Sequence, residues 1–327
     1  MSENASRSQL AQPHGAASSS VPAPSNHRGL TIFEQDWWLD VVTDGAIERV
    51  EVLWDSTLVG VLPYHAVRKG MLRKIQIPPY TRRLSPRISA PGSKDVTRMS
   101  NTIKIVGQLY EKMGEYDVYH TVIGDDRHLI FAYQMNGFKL QPKITFSSDP
   151  QVPMEALTAA MDHRPSNIIK TASRQFHTEL HFDLDRFRRL RQESPSNDRN
   201  DYRIIGRLMQ AVESRGAGGI LSAVDDKGED VAAAVLVWDS ERLYYFMASR
   251  SASSDANKAS PLVFYESIRL AKSYGLAFDA DGYASVASAM SLQKWGLDVT
   301  VNLNVNKGSV AYEMLKPLKD RFTPPPF

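Results

Sequence analysis

The sequence contains no cysteine. Disulfides, thiolate zinc sites and cysteine nucleophiles are therefore excluded, and a reducing compartment suits the chain. It has no apolar run long enough for a membrane-spanning helix. The N-terminus lacks the apolar stretch of a signal peptide, so a cytoplasmic location is the expectation. An excess of one charge is also missing: 39 Lys and Arg stand against 37 Asp and Glu, a net charge of +2. That balance does not describe a protein that wraps nucleic acid over its whole surface, although a local basic groove is compatible with it. Residues 1–28 have almost no large apolar side chains. They cannot bury enough surface to offset ordering entropy, which predicts a disordered tail with order beginning near Leu30. The Pro-rich end at 323–327 reads as a second loose end.

The chain has 327 residues, of which 42% are hydrophobic and 23% charged. This is ordinary globular composition with room for about two domains. The pattern between the loose ends is stated twice. Alternating apolar residues at 48–54, 58–66 and 72–77 predict a three-stranded antiparallel meander. A second meander is predicted at 220–224, 231–238 and 242–248. Both have short polar turns, among them Asp55-Ser56 and Asp225-Asp226-Lys227-Gly228. Each meander is followed by a helix, a strand, a helix, a glycine and a last strand. In the first copy these are 96–113, 116–123, 127–135, Gly137 and a strand to Phe146. In the second they are 260–274, 276–281, 285–294, Gly296 and 299–305. Each glycine falls where a helix C-cap precedes a strand. Meanders followed by crossovers predict an α/β protein with a mixed sheet and helices on both faces. The expected division is 29–160 and 161–322, with a cleft between the halves.

This order of elements resembles the GNAT fold, and five short segments resemble the FemAB/FemX-like acyltransferases of that superfamily, the group that includes BioF2-like and CelD-like acetyltransferases. They are Phe33-x3-Trp37-Trp38-Leu39, Ile77-Pro78-Pro79-Tyr80-Thr81, Asn167-Ile168-Ile169-Lys170-x-Ala172, Phe278-Asp279-Ala280-Asp281-Gly282 and Lys294-Trp295-Gly296. The likeness runs over most of 30–320. It implies two tandem GNAT-like domains and amide-bond formation. The donor would be an aminoacyl-tRNA or, alternatively, an acyl-CoA, and the acceptor an amine of a small molecule, a cell-envelope precursor or a polysaccharide precursor. A non-catalytic binding or scaffolding protein on this fold is a third reading, since fold alone does not fix function. Two departures stand out. The coiled-coil arm of the cell-wall enzymes has no counterpart, because 182–214 has room only for short helices, and Ile169 stands where that family often has Arg.

What the resemblance implies chemically is a neutral amine attacking an activated carbonyl, with no protein nucleophile. No tightly bound cofactor and no metal are expected; His177 and His181 could share a strand face but lack a third ligand. A GNAT sheet splays between its fourth and fifth strands, here 242–249 and 276–281, and the donor site is expected there. The loop 249–261 has none of the glycines of an acetyl-CoA-binding loop. Ser260 is expected to cap the following helix, with Pro261 its first residue, and Arg250 and Lys258 to hold a phosphate at that end. Asn167, Lys170 and Arg174 are further donor-binding candidates, the last two spaced for one helix face. Asp279 and Asp281 alternate at a strand end, which could point both toward the cleft as proton acceptors. Arg82, Arg83, Tyr80 and Trp38 are acceptor-binding candidates, and Arg87 lies close behind. The run Arg186, Arg188, Arg189 and Arg191 reads mainly as a solvated helix face.

Overall fold

The computed structural model describes residues 29–193, 200–283, 285–309 and 312. The predicted tail at 1–28 and the end at 323–327 lie outside the described residues.

In chain order the first half runs through a 3-10 turn (Ile32–Glu34), α1 (Asp36–Thr43), β1 (Ile47–Trp54), β2 (Thr57–Lys69), β3 (Leu72–Gln76), β4 (Arg87–Ile88), α2 (Asp95–Met113), β5 (Val118–Ile123), α3 (Arg127–Met135) and β6 (Lys139–Ser148). The second half has α4 (Met154–Ala160), α5 (His163–Ala172), β7 (His177–His181), α6 (Leu184–Glu193), α7 (Tyr202–Glu213), β8 (Gly218–Val224), β9 (Asp230–Trp238), β10 (Arg242–Arg250), α8 (Ala256–Ser273), β11 (Ala277–Asp279), α9 (Val286–Leu292) and β12 (Asp298–Gly308). Both predicted meanders are present as antiparallel pairs β1–β2–β3 and β8–β9–β10.

All strands join one sheet, ordered β1-β2-β3-β5-β12-β6-β11-β10-β9-β8-β7, with β4 on β2. The halves are therefore not separate sheets. β12 enters the first half between β5 and β6, pairing Leu303–Gly308 with Ile123–Val118 and Asp298–Asn306 with Ser147–Lys139. β6 in turn pairs with β11 through Phe278 and Asp279.

Apolar periodicity explains the layers. β8 and β9 are buried along nearly their whole length, as strands covered on both faces must be. One face carries α1, α6 and α7 through Trp38, Phe187, Leu208 and Val212. The other carries α5 and α8 through Ile169, Val263 and Ile268. Ala232 and Ala234 on β9 keep that layer thin, and Ala233 does the same on the opposite face. At Gly218 a Cβ would collide with the Leu236 carbonyl and Val212. The first half has its own core, where the hydroxyl of Tyr110 lies 2.6 Å from that of Tyr119 and 2.7 Å from that of Tyr133.

Two parallel contacts break the ladder. β10 pairs with β11 only over Arg242–Tyr244, then runs on to Arg250 without it. β3 pairs with β5 only at Lys74 and Ile75. The gap beyond β3 is closed by the chain itself: the Leu84 N–H donates to the Val122 carbonyl and Thr121 Oγ1 donates to the Leu84 carbonyl. The gap between β10 and β11 holds a cleft.

Candidate active site

The strand β11 ends by turning sharply out of the sheet. Asp281 (φ 59°) and Gly282 (φ 83°) are both left-handed. A non-glycine residue in that region is uncommon and needs support. Asp279 supplies it. Its Oδ1 accepts from the Asp281 N–H at 2.9 Å and from Thr145 Oγ1 at 2.7 Å, and its Oδ2 accepts from Arg242 at 3.2 Å. Thr145 Oγ1 also accepts from the Gly282 N–H at 2.9 Å. Asp279 is thus engaged in shaping the turn while it lines the same pocket as Asp281.

Asp281 keeps its Oδ1 without a hydrogen bond among the described residues. It lines a small polar pocket of about 110 Å³ together with Arg82, Lys143, Arg242, Tyr244 and Asn302. Its side chain is 10% exposed. Burial pushes its carboxyl up to about 7, helped by neighbouring Asp279 and opposed by Arg82 and Lys143. Arg82 Nε donates to Asp281 Oδ2 at 2.5 Å, and Arg82 NH2 donates to the Phe246 carbonyl on β10 at 3.1 Å. Its guanidinium also lies over the Phe246 ring, 5.0 Å from the centroid.

On the other side of the turn lies a larger cleft of about 480 Å³ between β10, β11 and α8. Tyr245, Phe264, Trp295 and Tyr283 form its apolar wall, and Arg250, Asn257 and Ser260 its polar end. Gly282 belongs to the lining of both cavities. The turn at Asp281–Gly282 is where they meet.

The α8 start differs from expectation. The helix begins at Ala256, one turn before Ser260, and Pro261 lies inside it. The Lys258 and Ala259 N–H groups bond the Asp255 carbonyl, so the first turn forms without a side-chain cap. Pro261 is tolerated because it is still close to the helix start, where few i−4 bonds are lost. Ser260 is therefore not the N-cap, but it does line the cleft, and its Oγ is buried without a hydrogen-bond partner among the described residues. Arg250 bonds Asn257 Oδ1 at 3.2 Å. Lys258 Nζ reaches Gln175 Oε1 at 3.2 Å, bringing the end of α5 to the start of α8. Asn167, Lys170 and Arg174 are all exposed there.

The acceptor-binding candidates divide. Arg82 is at the pocket. Arg83 lines it too, but its Nε is held by Glu34 Oε1 at 3.3 Å. Arg87 is spent on the Glu34 carbonyl and Asp36. Trp38 is 0% exposed and packs edge-on to Phe33 and Phe246, so it is a core residue and not an acceptor contact. Tyr80 lies outside the pocket and its hydroxyl accepts from the Asp201 N–H at 2.7 Å, fastening the first half to the start of α7. Arg186 is not a solvated face residue, since it bonds Asp230 through Nε and NH2 and pairs with Glu179. It thereby pairs with two members of the group Glu179, His181 and Asp230, whose ligand atoms approach closely enough for a metal.

Three pocket residues had no sequence signal strong enough to single them out: Lys143, Arg242 and Tyr244. The alternation Gln141, Lys143, Thr145, Ser147 on β6 is the trace that Lys143 left, because same-face residues repeat every second position.

The sequence matches no known protein family profile and no curated protein. Solved structures do resemble it in fold. FemX superposes with a TM-score of 0.64 at 11% identity, over 89% of this chain and 94% of that one. A C-terminal domain from Agrobacterium fabrum, described as that of a lysylphosphatidylglycerol synthetase, gives 0.53 at 10% identity, over 86% and 93%. L-PGS of Bacillus licheniformis gives 0.52 at 11%, over 86% and 91%. The chain is thus a mixed α/β protein with a fold like that of FemX, and no helix among the described residues is long and apolar enough to cross a membrane.

Proposed function

We propose that the protein is an N-acyltransferase that passes an acyl group from an activated donor to an amine, forming an amide. The observation that carries this reading is the junction at Asp281. A carboxylate with a raised pKa stands between an open cleft in the splayed sheet and a small polar pocket. The donor lies in the cleft between β10 and β11, and the acceptor amine enters the pocket. The amine nitrogen attacks the donor carbonyl carbon, and its proton passes to an Asp281 oxygen. Backbone N–H groups on the edge of β10 that β11 leaves unpaired stabilise the oxyanion. The intermediate collapses to the amide, and the leaving oxygen or sulfur departs with a proton. A base whose pKa lies near neutrality is well matched to this task.

For the donor we favour an aminoacyl-tRNA. The fold likeness to FemX supports it, as does the basic fringe of Arg250, Lys258, Lys170 and Arg174 beside the cleft. That fringe suits phosphates, Lys170 lying in the last turn of α5 and Arg174 in the turn that follows it. An acyl-CoA is the second reading, favoured by the aromatic wall of Tyr245, Phe264 and Trp295, which would suit a narrow apolar chain. The acceptor is a small-molecule or envelope-precursor amine, and the reaction belongs in the cytoplasm.

The test is a binding titration with the purified chain at fixed salt. Charged tRNAs against uncharged tRNA form one arm, and acyl-CoAs of increasing length the other. Tighter binding of a charged tRNA supports the first donor. Micromolar binding of an acyl-CoA with none of tRNA replaces it. If neither binds, with candidate amines present, the acyltransferase reading fails.

A further inference from the structure

One of the cations at the pocket of Asp281 has no bonded anion. Four cationic side chains line it: Arg82, Arg83, Lys143 and Arg242. Three are matched within the protein. Arg82 is bonded to Asp281, Arg242 to Asp279, and Arg83 to Glu34. Lys143 makes no hydrogen bond or ion pair among the described residues. Asp125, the remaining carboxylate of the lining, is exposed, is not bonded to Lys143 and does not figure in the field acting on it.

The surroundings of Lys143 make that isolation costly. It sits partly buried on β6, two residues from Thr145, with Asn302 of β12 directly across the ladder. Burial works against its charge, and the attraction of Asp281 and Asp279 only partly offsets this against the repulsion of Arg82. A half-buried ammonium without a partner is a state that a bound anion relieves, gaining a charge-assisted hydrogen bond.

We infer that the acceptor carries an anionic group, a carboxylate or a phosphate, beside its amine, and that Lys143 holds that group while the amine lies at Asp281. This rests on the reading of the small pocket as the acceptor site. It gives the anion contact to a lysine, because the protein's own carboxylates and carbonyls occupy Arg82, Arg83 and Arg87. Asn302 stands beside Lys143 as a second polar contact. Specificity of this kind arises because an acceptor lacking the anion leaves the lysine unpaired.

The inference is tested by equilibrium binding to the full chain, without donor, of two matched pairs of small amines. Glycine is compared with glycinamide, and phosphoethanolamine with ethanolamine. The expected result is that one anionic member binds at least tenfold more tightly than its neutral partner. Which pair shows the preference tells carboxylate from phosphate. Lys143→Met should bring that ratio to about one without abolishing binding of the partner that lacks the anion, which also reports an intact pocket. A ratio near one in the wild type, absence of binding by all four, or a preference that survives Lys143→Met overturns the inference. Should the preference hold while no donor yields an amide, the lysine assignment stands and the acyltransferase reading falls.

Discussion

Arg82 ties together two strands that the sheet itself lets part: it donates to Asp281, just beyond the end of β11, and to the Phe246 carbonyl on β10. The residue comes from the first half of the chain and the two strands from the second. It therefore stands at the mouth of the wedge and sets the charge of the carboxylate there.

Removing the carboxylate should stop the chemistry and spare the fold. Asp281→Asn is expected to lower amide formation by about 10²–10⁴-fold, the usual contribution of a general base. With the wild type, the rate of the chemical step should climb with pH and level off above about 7. Single-turnover rates at saturating donor check both. An unchanged rate in the variant would remove Asp281 from the mechanism.

Stability should carry the same signature with a definite sign. In the unfolded chain Asp281 loses its proton near 4, and in the folded protein near 7. Between those values the folded state holds more protons, so this group's contribution is present at low pH and is lost as pH rises through 7. Asp281→Asn should therefore raise the melting temperature at pH 8 and change it little at pH 4. The limit set by the pKa difference is on the order of 4 kcal/mol. Melting curves at the two pH values test it.

Arg82 holds the Asp281 pKa below the value that burial alone would impose. Arg82→Met should consequently move the plateau of the pH–rate profile to higher pH. Carbon NMR titration of the Asp281 carboxyl would show the same upward shift without reliance on activity. A downward shift would contradict the geometry.

A tRNA donor should feel the basic fringe. Replacing Lys170 and Arg174 together by Gln should weaken charged-tRNA binding and reduce the slope of log affinity against log salt by about 1–2. Acyl-CoA binding should respond instead to Trp295→Ala, which strips the apolar wall of the cleft.

Gly218 offers a control remote from both cavities. Ala at this position meets the Leu236 carbonyl and Val212. Overpacking of this type costs about 1–3 kcal/mol. Denaturant titration should show that loss, while donor affinity per folded molecule stays constant.

Much of the architecture was legible because it is written in local periodicity. The two meanders and the helices after them announce themselves by alternation and by an apolar stripe, and they fold close to where expected, α8 starting one turn early. The insertion of β12 between β5 and β6 was not legible, since nothing local in 298–308 says which distant edge it will join. The site divides in the same way. Asp281 was visible as part of Phe278–Gly282, a carboxylate before a glycine at a strand end. Its difference from Asp279 was not, because it depends on Thr145 and Arg242 arriving from other strands. Trp38 and Tyr80 drew notice as aromatic side chains, but burial in one case and a bond to the Asp201 N–H in the other decide their roles. Ser260 and Pro261 form a good start signal that a turn closing one step earlier overrides.

The place of β12 bears on how the protein can come into being. Leu303–Gly308 pair with Val118–Ile123, and Asp298–Asn306 with Lys139–Ser147, contacts that span roughly half the chain. Until residue 308 has left the ribosome, β5 and β6 each present a bare edge where a strand should lie. Loops of that size close slowly and expose unpaired edges meanwhile. The first half is thus not a module that can be cut free and kept: expressed alone it would carry an open slot in the middle of its sheet, fitted for a segment of strand from another molecule.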